Sequence, residues 1–66
     1  MKLGSRVKMT KKFKEQLQNN GSREHVEEFG RCVGTVVEID IDATVKWESS
    51  NNLKYHYSIS SLEIIV

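Results

Sequence analysis

The side chains best suited to chemistry are one thiol, Cys32, and two imidazoles, His25 and His56. A thiolate beside an imidazole is a nucleophilic pair, but it needs a third group to orient the base. No such group stands at a recognisable spacing. Metal binding through the same three residues lacks a local spacing such as Cys-x-x-Cys. Cys32 reads instead as a buried structural thiol in an apolar strand. Glu24, Glu27 and Glu28 fall on a short helical stretch, and Asp40 and Asp42 at a strand end or turn. Paired carboxylates perform acid–base work only inside a pocket, and a small domain has little room for one. Gly30-Arg31-Cys32-Val33-Gly34 lacks the Lys-Ser/Thr ending of a phosphate-binding loop. The chain is therefore read as non-enzymatic, with no catalytic residue, cofactor or metal.

Two groups of residues remain that can bind. Trp47, Tyr55 and Tyr57 stand beside Lys46, Lys54 and His56, where aromatics can stack on bases or clasp a cation. Packing competes with this role, and Trp47 reads first as a core residue. The second group is cationic. Residues 1–14 carry Arg6, Lys8, Lys11, Lys12, Lys14 and Lys2 and no acid, whereas the rest of the chain carries four cations and nine acids. Such a segment is a solvated edge that resists strand-to-strand association, or a patch that meets phosphate or an acidic protein. The candidate partner-binding residues are Arg6, Lys8, Lys11, Lys12, Lys14, Tyr55 and Tyr57.

The elements that must position these residues follow from spacing. Sixty-six residues suit one domain, 1–66. A core of this size contributes about 3–5 kcal/mol without a staple, and a single cysteine forms no internal disulfide. Tight β packing, a protein partner or a second copy in a homodimer must supply the rest. Leu3, Ser5, Val7 and Met9 alternate with Arg6 and Lys8, a first strand. Thr10 reads as an N-cap, and Met9, Phe13 and Leu17 make one helical stripe. Asn19-Asn20-Gly21 ends that helix, with Gly21 in the left-handed position. Ser22 opens a second helix with Val26 and Phe29 inward, and Gly30 stops it. Cys32 to Ile41 reads as a strand in which Val37, Ile39 and Ile41 share a face, followed by a turn over Asp40 to Ala43. Ala43 to Glu48 follows as a strand with Val45 and Trp47 on one face. Ser49-Ser50-Asn51-Asn52 reads as a hairpin connection. Leu53 to Ser58 is a fourth strand, Ser58 to Ser61 has room for one 3₁₀ turn, and Leu62 to Val66 is the last strand. A small sheet with one apolar face is expected to curl and close.

This order resembles an SH3-like barrel. The resemblance rests on Gly34-Thr35-Val36-Val37-Glu38-Ile39, on Val45-Lys46-Trp47-Glu48, and on Ser60-Ser61-Leu62-Glu63-Ile64-Ile65-Val66, and it covers nearly the whole chain. The glycine–x–valine entry, the valine–x–tryptophan return and the closing leucine–x–x–x–valine look like KOW, Mind-bomb-type and related small barrels. The layout also resembles small bacteriophage-encoded proteins. It implies a mostly β, five-stranded SH3-like barrel with one or two short helices inserted at about residues 10–30. The insert departs from KOW elements, whose first loop is short. Recognition of proline-rich peptides is not implied either, because the acidic loop and tyrosine pattern for it are missing.

The expected core is Val7, Phe13, Leu17, Phe29, Val36, Val45, Trp47, Leu62 and Ile64. The expected function is a protein-interaction module, a phage-encoded accessory or host-modulating factor. Nucleic-acid binding through the basic first strand and helix is the alternative. The N-terminus carries no apolar stretch and Ile64-Ile65-Val66 is far too short to span a bilayer. No membrane association and a cytoplasmic location are therefore expected, the lone cysteine suiting a reducing compartment.

Overall fold

The computed structural model describes residues 1–48 and 53–65. The Ser49–Asn52 connection and Val66 lie outside the described residues. Five strands and two helices run in the order β1 (Arg6–Met9), α1 (Lys11–Asn19), α2 (Arg23–Phe29), β2 (Gly34–Ile39), β3 (Asp42–Trp47), β4 (Lys54–Ser58) and β5 (Leu62–Ile64), with a 3₁₀ turn at Ile59–Ser61 before β5.

The first strand is shorter than its alternation predicts. Ser5 N–H donates to the Lys2 carbonyl at 3.1 Å, closing a turn with Gly4 at φ 84°. A positive φ at the third position of a turn favours glycine. Leu3 sits at the corner of this turn, 61% exposed, and not on the inner face. From Arg6 onward the alternation holds, with Val7 and Met9 buried and Arg6 and Lys8 outside.

Both ends of α1 follow from the sequence. Thr10 is extended, and its hydroxyl accepts from Phe13 N–H at 3.1 Å, which satisfies one free donor of the first turn. At the other end Ser22 N–H donates to Leu17 C=O at 2.8 Å and Gly21 N–H to Gln18 C=O at 3.3 Å. This is the Schellman pairing, with Gly21 at φ 83° in the position that requires it. Ser22 precedes α2, but its side chain makes no capping bond. Gly30 ends α2 in a right-handed conformation (φ −63°, ψ −20°) and not the left-handed one. Its small size serves packing: a Cβ there would run into the Val26 carbonyl and lie 3.2 Å from Lys14 Cδ.

The strands form one antiparallel sheet in the order β4-β3-β2-β1-β5. Its inner face carries Val7 and Met9, Gly34 and Val36, Ala43, Val45 and Trp47, Tyr57, and Leu62, all buried. Phe13 and Leu17 from α1 pack against this cluster, and Phe29 from α2 belongs to it. The sheet is not closed into a barrel: β4 and β5 stand at opposite ends of the order. The two helices supply the cover over the apolar face that curling and closure would otherwise have to provide. Among the described residues no helix is long and apolar enough to cross a membrane.

One core expectation and one strand-face expectation are corrected. Ile64 is half exposed, because β5 is an edge strand of three residues and only Leu62 reaches under the cover. Ile41 does not share a face with Val37 and Ile39. It projects from the turn between β2 and β3, 86% exposed. Ile41 is exposed because the chain leaves the ladder after Ile39, and the register separately moves Ile39. Val36 pairs with Val45, but Glu38 pairs with Thr44, so Val37 is an extra residue in a β-bulge. The bulge lets Val36 and Ile39, three apart in sequence, both turn toward the core.

Candidate functional site

The aromatic residues assemble between α2 and the β3–β4 pair. Trp47 and Phe29 stack at 5.9 Å between ring centroids, and Phe13 meets Tyr57 edge-on at 5.7 Å. His25, on the sheet-facing side of α2, lies 5.0 Å from the Tyr55 ring and 4.9 Å from Phe29. The polar atoms of this cluster form a chain. Trp47 Nε1–H donates to the Tyr57 hydroxyl at 2.9 Å, and the same oxygen lies 2.6 Å from His25 Nε2.

Burial keeps the members of this chain uncharged near neutral pH. Burial pushes the Tyr57 hydroxyl up to about 12, against the Trp47 hydrogen bond, with Tyr55 adding to the rise. Burial also lowers His25 from its ordinary value, against the nearby Glu28 carboxylate. Near neutral pH the phenol keeps its proton and the imidazole is neutral, and the His25 tautomer sets the roles: with the ring proton on Nδ1, Tyr57 O–H donates to Nε2. The chain of hydrogen bonds from Trp47 through Tyr57 to His25 pins α2 onto the sheet. Tyr57 is only 7% exposed, and burial removes it from the surface as a stacking residue. Tyr55 keeps partial exposure, with its ring against His25 and Phe29.

Cys32 lies in the loop after α2 and not within a strand. It is half-buried, and its thiol donates to the Glu28 carbonyl at 3.3 Å. His56 stands elsewhere, on the outer face of β4, with Nδ1 at 2.9 Å from the Thr44 hydroxyl. Among the described residues no three His, Cys, Asp or Glu side chains are grouped to hold a metal ion. Asp40 and Asp42 line a shallow depression of about 350 Å³ with Glu38 and His56.

The candidate cations divide into three places. Arg6 and Lys8 project from the outer face of β1. Arg6 pairs with Glu48, and Lys8 Nζ lies 3.6 Å from Glu63 Oε1. The register aligns Arg6 with Thr35, Lys46 and Lys54 across four strands. Lys12 borders a depression of about 140 Å³ beside Ser60 and Ser61. Lys11 and Lys14 line a larger groove of about 440 Å³ between the two helices. From α1 the groove also receives Glu15 and Gln18. The side of α2 contributes Val26, Glu27, Gly30 and Arg31.

The first turn of α1 contains no acid. It begins Lys11-Lys12-Phe13-Lys14, so lysines occupy the end where the helix dipole is positive and acids are favoured. Of the two ion pairs among the described residues, neither involves an α1 lysine. Arg31 escaped the sequence reading, because it lies far from the basic segment. Arg31 stands two residues beyond the end of α2, so no helical spacing marks it, and it reaches the groove through the turn that Cys32 N–H closes on the Phe29 carbonyl at 3.0 Å. The chain matches no family model, no curated protein and no solved structure.

Proposed function

We propose that the chain is a non-enzymatic protein-interaction module that engages an acidic protein surface through its helical insert. The observation that carries this reading is the first turn of α1, where Lys11, Lys12 and Lys14 stand without an acid. Each such placement costs the helix about 0.3–1 kcal/mol relative to an acid's gain there. Local rules are broken at functional sites more often than elsewhere. The core residues all have packing roles, and Tyr57 is spent on the hydrogen-bond chain to Trp47 and His25.

The strand order, with β5 beside β1, and the 3₁₀ turn between β4 and β5 support an SH3-like architecture in which the helices replace part of the barrel wall. On that architecture, and in line with the layout of small phage-encoded proteins, we read the chain as an accessory or host-modulating factor acting in the cytoplasm. A nucleic-acid partner is less well supported. Arg6 and Lys8 are engaged by Glu48 and Glu63, so the basic strand and helix do not make one continuous free track.

Carbodiimide crosslinking, which joins a lysine amine to an activated carboxyl as an amide, applied in the cells that express the chain and read by mass spectrometry, tests the proposal. Crosslinks from Lys11, Lys12 and Lys14 to acidic segments of a partner protein are expected, with few from Lys46 and Lys54. Partner crosslinks confined to Lys46 and Lys54 would sink it. So would tight retention on oligonucleotides that falls steeply with salt.

A further inference from the structure

The groove between α1 and α2 carries an inference about the partner's chemistry, resting on the interaction reading above. Lys11, Lys14 and Gln18 follow one another at helical spacing along α1, so they form one wall. Nine residues of α1 give this wall a length of about 13 Å. Arg31 and Glu27 face it from the α2 side. The floor is Val26 and Gly30. Gly30 leaves it open, since a Cβ would collide with the Val26 carbonyl and crowd the Lys14 stem at 3.2 Å. The three cations bordering the groove take part in neither ion pair among the described residues.

We propose that this groove is a binding site for a protein segment bearing one or two carboxylate side chains, held by Lys11, Lys14 and Arg31. The length of the wall fits about four residues of extended chain. Arg31 offers a planar fork for a bidentate carboxylate contact, and the lysines offer point charges on flexible stems. Glu15 and Glu27 also line the groove, so three cations less two acids leave a net charge of +1. That balance suits an isolated carboxylate better than a densely charged phosphate backbone, which the two glutamates repel.

The test is a titration of the ¹⁵N-labelled full chain with a short Gly/Ser peptide carrying spaced glutamates, followed by amide shifts. Shifts at Lys11, Lys14, Gly30 and Arg31 are expected. They should vanish at about 1 M salt, where screening acts within about 3 Å. Arg31→Gln and Lys14→Gln should each weaken binding by up to about fivefold, and Lys46→Gln should leave it unchanged. Four results would overturn the site: no groove shifts, equal binding of the glutamine version of the peptide, indifference to Arg31→Gln, or stronger movement of the same amides by an oligonucleotide. Failure here with α1 lysines still crosslinked to a partner would refute the groove alone. Loss of both would refute the interaction reading itself.

Discussion

Tyr57 is the residue on which packing and polarity meet. Its ring fills the inner face of β4, and its hydroxyl receives the Trp47 N–H and faces His25. The sequence shows Tyr55 and Tyr57 as equivalent members of an alternating strand. Only the docking of α2 separates them, by placing His25 over one hydroxyl. The sequence assigns His25 no role once its pairing with Cys32 is set aside, because nothing in the spacing reveals which helical face meets the sheet. A pH dependence follows. The folded state holds His25 below its ordinary value of 6.5, so the unfolded chain binds more protons as the pH falls. The stability that His25 contributes is complete above about 6.5, where both states are neutral, and is lost as the pH drops through the unfolded and then the folded value. Urea midpoints measured between pH 8 and pH 5 should fall more steeply for the wild type than for His25→Gln. Parallel curves would show that the imidazole does not couple to folding.

Helices and strands were legible to different depths. Thr10, the Phe13–Leu17 stripe and Asn20-Gly21 carry local chemistry, and α1 begins and ends where they place it. The β2 strand was misread beyond Val36, because simple alternation joins Val37, Ile39 and Ile41. The bulge at Val37 turns Ile39 to the face of Val36, while Ile41 falls in the connection to β3, and a bulge is fixed by the partner strand β3 and not by the residues of β2 alone. Gly34 shows how closely these two strands fit. It lies opposite Trp47, and a Cβ there would collide with Val45 and stand 2.8 Å from Trp47 Cε3. Both neighbours are fully buried and have no room to move. Gly34→Ala should therefore destabilise by about 1–3 kcal/mol, the usual cost of overpacking, seen as a lower denaturant midpoint with unchanged slope. A neutral effect would mean that β2 and β3 pack more loosely than this.

At the scale of the molecule, the radius of gyration of 10.9 Å matches the roughly 11 Å expected for a compact chain of this length. The helices have folded back over the sheet. The sequence identified five strands, two helices and the basic insert, but the apolar face was expected to close on itself. Closure is a property of how the insert docks, which no local pattern records. The same holds for the groove: Arg31 and Glu27 join Lys11 and Lys14 only after α2 turns back along α1. The central claim is that the first turn of α1 is suited to a partner at the expense of stability. Replacing Lys11 and Lys12 by glutamate removes two repulsions with the helix dipole and adds two attractions, each about 0.3–1 kcal/mol. Glu15, four residues from one position and three from the other, turns from attraction to repulsion toward both, which offsets about 0.8–2 kcal/mol of this. The net gain is about 1 kcal/mol, which for a domain this small raises Tm by about 4–8 °C. Thermal unfolding of Lys11→Glu/Lys12→Glu is therefore the most direct measurement. The account predicts a higher Tm than the wild type, and a lower Tm would show that these lysines serve the fold and contradict it.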